Sequence, residues 1–188
     1  GAFTNVGGVA VNDYLLRVTV TSGTVYGFSQ IDGASAPNAQ VTAIHYDPEL
    51  GRLYIMGDFT AIGSMAANYV AYYDGSSWKS MGSGFDAIPT DGGIASANGR
   101  AYFAADGINS AGGVIIPDGF AIWDGNQWSA PRFDATGHNG KRVVCDSETG
   151  DVFWLGQTSS ATVEGNTAIT NTDYGDTYPT LVITWPGT

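Results

Sequence analysis

Histidine and cysteine, which often carry catalysis or hold metals, are scarce in this chain. His45 and His138 are the only histidines, one in a predicted strand and the other in a Thr-Gly-His-Asn-Gly loop. A metal triad or a Ser-His-Asp relay needs partners that the sequence does not place beside either histidine. Cys145 is the single cysteine, and its position in a predicted strand favours a small buried role over a reactive thiol. We therefore predict no catalytic residue and a protein that is not an enzyme.

Aspartate recurs at predicted turns. Asp74 and Asp124 each precede a glycine, and Asp47 and Asp146 begin the turns of two other hairpins. A turn uses Asp because the short carboxylate binds the backbone amides that follow it. A glycosidase instead needs one pair of carboxylates in a single cleft. The repetition therefore predicts turn residues rather than catalytic acids.

One oxygen-rich segment, NTDYGD, contains Asn171, Asp173 and Asp176. It loosely resembles a calcium loop, but its spacing does not fit the D-x-[DN]-x-[DN]-G pattern and no bidentate glutamate follows. Calcium is the only cofactor that this segment suggests. We assign no metal site and no cofactor to the chain.

Aromatic residues are the remaining candidates for binding. Trp78 and Trp128 recur at one position of matching hairpins, which favours packing between neighbouring units. Tyr72, Tyr73 and Trp123 lie in the same hairpins, and aromatic faces can bind sugar rings or a protein partner. These three residues are the candidate contacts for a surface glycan or a protein.

These residues lie on a repeat of about fifty residues. Residues 41–57 (VTAIHYDPELGRLYIMG) return at an offset of 99 as residues 140–156, and residues 92–106 have the same shape midway between them. A second hairpin, residues 69–81, returns at an offset of 50 as residues 120–133. Asn98-Gly99 between two apolar stretches is a strong signal for a type I′ hairpin turn. Each unit therefore predicts four antiparallel strands.

Residues 1–188 are predicted to form a single all-β repeat domain. It divides into a partial unit (1–40), two full units (41–91 and 92–139) and a degenerate unit (140–188). Such units stack radially in a β-propeller, or axially in a β-solenoid, which is the alternative. Three units and a fraction cannot close a ring of 4 to 8 blades. We therefore expect other copies of the chain, or a longer parent chain, to supply the missing strands, including the outermost strand after residue 185.

The composition excludes several classes of partner. Of the 188 residues, 43% are hydrophobic and 13% charged, and the formal net charge is -11. This acidity repels phosphate, which excludes nucleic acid and anionic membranes. No apolar run is long enough to span a bilayer, so we expect no membrane insertion.

The segments GAFTNVGG and GDFTAIGS, the second followed by YVAYYDGSSW, resemble the GxFTxxGG repeat of bacterial, phage and fungal surface proteins. The nearest relatives of that repeat are the kelch-like propellers and the yeast cortical polarity-marker repeats. The resemblance implies a propeller-like scaffold that is usually non-enzymatic and is extracellular, on a cell surface or on a virus particle.

The repeat, the acidity of the chain and the prediction of no catalytic residue together indicate a class of function. We expect a structural or adhesion module on the outside of a cell or virus particle, mediating protein-protein assembly or surface attachment. The alternative is a carbohydrate-binding or glycoside-cleaving β-propeller, for which the aromatic hairpins are the only support.

Overall fold

The computed structural model describes residues 3–6, 9–21, 23–31, 35–116, 119–131, 134–136, 139–146, 148–157, 160–162, 169–171 and 180–185. Within these ranges the chain contains strands and no helix, and every strand pairing is antiparallel. The predicted all-β class is therefore confirmed.

Two separate hairpins come first. They are β1 (Phe3–Val6) with β2 (Val9–Asp13), and β3 (Arg17–Thr21) with β4 (Thr24–Ser29). The strands of the second hairpin meet at the register pair of Thr21 and Thr24.

The first four-stranded sheet follows. Its segment of the chain contains β5 (Val41–Asp47), β6 (Arg52–Gly57), β7 (Ala61–Ile62), β8 (Met65–Ala66), β9 (Val70–Tyr73) and β10 (Trp78–Ser80). The sheet has the order β10-β9-β6-β5, and the short strands β7 and β8 form a separate hairpin in the glycine-rich connector. We call this the first sheet.

The second sheet has the same plan. Its segment contains β11 (Asp91–Ala97), β12 (Arg100–Asp106), β13 (Ser110–Ala111), β14 (Val114–Ile115), β15 (Phe120–Trp123) and β16 (Trp128–Ser129). The strand order is β11-β12-β15-β16, with β13 and β14 as the connector hairpin. Asn98 and Gly99 have φ of 53° and 72°, the left-handed backbone that a type I′ turn requires. The predicted Asn-Gly hairpin is confirmed.

The third sheet differs from the prediction at its outermost strand. Its segment contains β17 (Asp134–Thr136), β18 (Asn139–Cys145), β19 (Val152–Gln157), β20 (Ser160–Thr162), β21 (Ile169–Asn171) and β22 (Thr180–Trp185). β17 pairs with β20 outside the sheet. The outermost position, expected to be empty in this chain, is held by β21 in the order β18-β19-β22-β21. The prediction was wrong because β21 precedes β22 in the chain, whereas in the other sheets the outermost strand follows its partner.

Matching side-chain-to-backbone hydrogen bonds tie the connector hairpins of the first and second sheets to the segments that lead into those sheets. Asn38 Oδ1 accepts hydrogen bonds from the amides of Thr60 and Ala61 at 2.9 and 3.2 Å. Asp86 Oδ1 does the same with the amides of Asn109 and Ser110, both at 3.0 Å. The two connectors are therefore ordered parts of the fold.

The sheets pack face to face in chain order. One core cluster joins Tyr54 and Met56 of the first sheet to Ile94 and Phe103 of the second. Another joins Tyr102 of the second sheet to buried residues of the third, among them Val143 and Trp154. Alternate residues of β12 thus face opposite neighbours, as the two-residue period of a strand requires. The middle sheet is covered on both faces.

Trp128 is at the centre of the boundary between the first two sheets. It is 6% exposed, and its ring centroid lies 5.2–5.4 Å from those of Phe85, Phe103 and Trp123. Its indole N–H donates to the carbonyl of Met81, at the end of the first sheet, at 2.7 Å. Trp78 is similarly buried at 7% exposure. Both tryptophans are therefore packing residues, as predicted.

We predict that Trp128→Ala lowers the free energy of unfolding by about 3–5 kcal/mol, the usual cost of removing a large buried aromatic ring. Trp128→Phe should cost less, because it keeps most of the ring contacts but leaves the Met81 carbonyl without its donor. Urea unfolding measures both changes.

Trp78→Phe is the matched control, because the Trp78 indole nitrogen has no hydrogen-bond partner in the described part of the chain. It should cost less than Trp128→Phe. Equal costs for the two Phe variants would contradict the role of the Met81 hydrogen bond.

Candidate functional site

In each four-stranded sheet, the strand at the edge opposite the outermost strand is called the inner strand. The inner strands are β5, β11 and β18, and they carry most of the polar contacts between sheets. His45 Nε2 on β5 is hydrogen-bonded to Ser96 Oγ on β11 at 2.8 Å. Burial lowers the pKa of His45, against a smaller opposing effect of Asp47. The imidazole is therefore a neutral contact between sheets at pH 7. His138, the other histidine, lies outside the described residues.

Two ion pairs connect the second and third sheets. Arg142 on β18 contacts Asp91 on β11 at 2.6 Å, and the neighbouring Lys141 pairs with Asp106 on β12. Cys145, at the end of β18, packs against the core cluster of this boundary. Burial raises its pKa to about 12, so the thiol is protonated and unreactive at neutral pH.

The four recurring aspartates are turn residues, as predicted. Each accepts hydrogen bonds through Oδ1 from amides two and three positions ahead, and the four are Asp47, Asp74, Asp124 and Asp146. These donors lower the pKa of Asp74, Asp124 and Asp146, because they stabilise the ionised carboxylate.

The three aromatic candidates do not come together in one site. Tyr72 lies under the guanidinium of Arg52, 5.0 Å from the ring centroid. Trp123 is 4% exposed and packs on Trp128, so its ring is part of the core. Tyr73 lines an open cleft. Neighbouring residues of one strand point to opposite faces, which separates Tyr72 from Tyr73.

That cleft, of about 370 Å³, lies between the β3–β4 hairpin and the first sheet. It is lined by Arg17, Ile31, Tyr46, Gly51, Leu53, Tyr73 and Gly75. Tyr46 is 59% exposed and Ile44, two residues before it on β5, is 56% exposed. We call Ile44 and Tyr46 the first end face, because they lie on the side of the first sheet that the second sheet does not cover.

The third sheet has a similar surface on its far side. Val144 is 60% exposed and Leu155 is 37% exposed, and we call this pair the last end face. An apolar groove of about 180 Å³ opens there, lined by Arg142, Val143, Val144, Phe153, Trp154 and Leu155. Exposed apolar residues on two flat sheet surfaces are typical of interaction sites.

The calcium candidates fall mostly outside the described residues. Asn171 is the last residue of β21, where it is the register partner of Thr180, and Asp173 and Asp176 are not described. The described residues contain no group of three His, Cys, Asp or Glu side chains arranged to hold a metal ion. Nor does any helix in that part of the chain have the length and hydropathy to cross a membrane.

Comparison of this chain with protein families, with curated proteins and with solved structures found no match.

We predict that the turn aspartates make stability depend on pH. A lowered pKa in the folded state stabilises the fold above the unfolded value of about 3.9, and this contribution is lost as the pH falls through the folded value. Asp124→Asn keeps an acceptor oxygen but removes the charge that its turn amides stabilise. The variant should have a lower urea midpoint than the unmodified chain at pH 7, and the gap should narrow as the pH falls below the unfolded value of about 3.9.

Glu49→Gln is the control, because it removes one exposed negative charge and leaves the Asp124 turn intact. If Glu49→Gln showed the same closing gap, general charge repulsion rather than the turn bonds would explain the result.

Proposed function

We propose that this chain is a non-enzymatic structural module, propeller-like in architecture, that assembles through its two end faces on the outside of a cell or virus particle. Residues 1–188 act as one repeat domain, and the partner is another copy of the chain or further units of a longer parent chain. The observation that supports this most is the exposure of apolar residues at positions that the middle sheet buries against its neighbours.

At the boundaries between sheets, alternate residues of the inner strand β11 contact different neighbouring sheets. Ile94 on β11 belongs to the cluster shared with the first sheet, and Ser96 contacts His45. Ala95 and Ala97 belong to the cluster shared with the third sheet. Alternate residues of one strand thus serve two neighbours.

The end strands follow the same alternation with one neighbour instead of two. On β5, Ala43 packs towards the second sheet, while Ile44 points away and is exposed. On β18, Val143 is buried against the second sheet, while Val144 is exposed. The first end face therefore carries the residues that would meet a preceding sheet, and the last end face those that would meet a following one.

Two different surfaces that meet head to tail generate a ring when the rotation closes. One chain supplies three four-stranded sheets and the two-stranded β3–β4 hairpin beside the first of them, so two copies would supply six such sheets and two hairpins. Six lies within the range of 4 to 8 blades in propellers. Association would bury four apolar side chains per junction, each contributing up to about 1.5–3 kcal/mol if fully removed from water. The net charge of -11 opposes the approach of two copies, so assembly should strengthen with salt.

We predict that the isolated chain self-associates at micromolar concentration and that Val144→Asp abolishes the association, because it places a charge in the apolar junction. Sedimentation velocity at about 0.5 M salt, where charge repulsion is screened beyond a few ångströms, measures the mass. Circular dichroism checks that the variant keeps its β structure.

Ile115→Asp is the matched control, because Ile115 is 75% exposed on β14 and belongs to neither end face. It should sediment like the unmodified chain. A monomeric unmodified chain, or equal behaviour of the two Asp variants, would overturn the proposed assembly.

A further inference from the structure

Tyr69 has an unusual backbone conformation. Its φ is 68°, and only one other described non-glycine residue, Asn98 in its Asn-Gly turn, has a positive value. Asparagine tolerates this left-handed region, whereas a bulky residue there is a true outlier. Such outliers persist where the surrounding structure holds them, and they concentrate at binding sites.

The second sheet shows what the fold requires at this position. Tyr69 precedes β9, and its carbonyl accepts a hydrogen bond from the amide of Gly57 at 3.0 Å. Gly119 precedes β15, has a φ of 65°, and accepts from the amide of Ala105 at 2.7 Å. The same backbone role is thus filled once by glycine and once by tyrosine. Glycine adopts this positive φ without strain, so folding does not explain the tyrosine at position 69. Its side chain is therefore expected to have a role other than folding.

Tyr69 lines a cleft of about 420 Å³ between the first sheet and the connector of the second. The other lining residues are Asn68, Ser83, Gly84, Phe85, Asp86, Ser110 and Gly113. The volume lies in the range of small-molecule sites. The partly buried ring packs on one side against the central core cluster, which holds it in place.

Hydrogen bonds connect the walls of the cleft. Asn68 Nδ2 donates to the Ser83 carbonyl at 2.9 Å, and the Phe85 amide donates to the Asn68 carbonyl at 3.0 Å. Gly84 fits against Asn68 only because it has no Cβ, which would lie 2.3 Å from the Asn68 carbonyl oxygen. Asp86 uses Oδ1 for the connector amides. No donor to its Oδ2 lies in the part of the chain that the structure describes, so this oxygen can accept from a ligand. The polar groups are therefore already positioned.

The lining selects a chemical class of ligand. It combines an aromatic ring with two serine hydroxyls, an amide and a carboxylate, and it contains no lysine or arginine. A sugar ring matches this set, since its C–H face packs on an aromatic ring while its hydroxyls bond to polar groups around the edge. An anionic sugar would meet Asp86 without a compensating cation.

We propose that this cleft binds a neutral sugar, either a free hexose or the terminal residue of a neutral glycan, with Tyr69 as the stacking platform and Asp86 as the main hydroxyl acceptor. The site is separate from both end faces. Binding and assembly can therefore succeed or fail independently.

The first experiment is titration of the full chain with methyl glycosides of galactose, glucose, mannose and N-acetylglucosamine, followed by protein NMR shifts. At least one of them should bind at millimolar concentration or tighter, and methyl glucuronide should bind more weakly. Absence of binding by every neutral glycoside, or preference for the glucuronide, would overturn the proposal.

The second experiment uses variants of the same chain. Tyr69→Gly, which installs the residue that the second sheet uses, should weaken binding by about tenfold or more, whereas Tyr69→Phe should stay within about threefold. Asp86→Asn should weaken binding several-fold while keeping the connector bonds, because Asn38 makes the same bonds at the corresponding position. Unchanged affinity in both Tyr69→Gly and Asp86→Asn would overturn the site.

Asp124→Asn is the charge control, because it makes the same substitution at a turn outside the cleft. It should bind the sugar like the unmodified chain. If Tyr69→Gly failed to fold, the pair of Asp→Asn variants would still decide the matter, since both keep the acceptor that their turns need.

Discussion

Every four-stranded sheet in this protein has two faces, and the alternation of side chains along its strands makes both of them apolar. β12 shows the constraint most clearly, because Phe103 packs towards the first sheet while Tyr102 packs towards the third. A sheet built this way buries both of its faces only where it lies between two neighbours. Stacking in chain order covers both faces of the middle sheet, whereas Ile44 on the first sheet and Val144 on the third lie at alternating positions that no neighbouring sheet covers.

Polar groups at the boundaries set the register of the stack. His45 with Ser96 and Arg142 with Asp91 join neighbouring inner strands, and the Trp128 indole reaches back to the Met81 carbonyl. Apolar packing alone tolerates sliding, whereas a hydrogen bond to one defined partner does not. Arg142 is more than half exposed, so its ion pair adds little stability and acts mainly by fixing position.

The sequence was most informative where local chemistry decides the structure. The Asn98-Gly99 turn, the Asx turns and the burial of both hairpin tryptophans follow from residue type and spacing. β21 could not be predicted, because a three-residue strand that pairs with the segment following it carries no periodicity. The end faces could not be predicted for a different reason. The exposure of Val144 depends on whether another sheet packs against its strand, and the sequence of that strand does not contain this information.

The Tyr69 cleft lies where two repeat units have the same backbone conformation but different side chains. Sequence alone aligns Asn68-Tyr69-Val70 with Asp118-Gly119-Phe120, but the substitution acquires meaning only when φ is known at both places. Two repeat units can share a backbone conformation that is strained for one residue and not for its counterpart. The strained residue, here Tyr69, then indicates a requirement other than folding, such as ligand binding. The proposed sugar cleft is open and offers one stacking platform, Tyr69, so a single copy would bind weakly. Assembly through the end faces would place two or more such clefts on one particle, and linked weak sites can gain a factor of roughly 10² to 10⁴ in avidity without any new contact. Assembly and binding, although structurally separate, would then act together in attachment to a glycan-bearing surface.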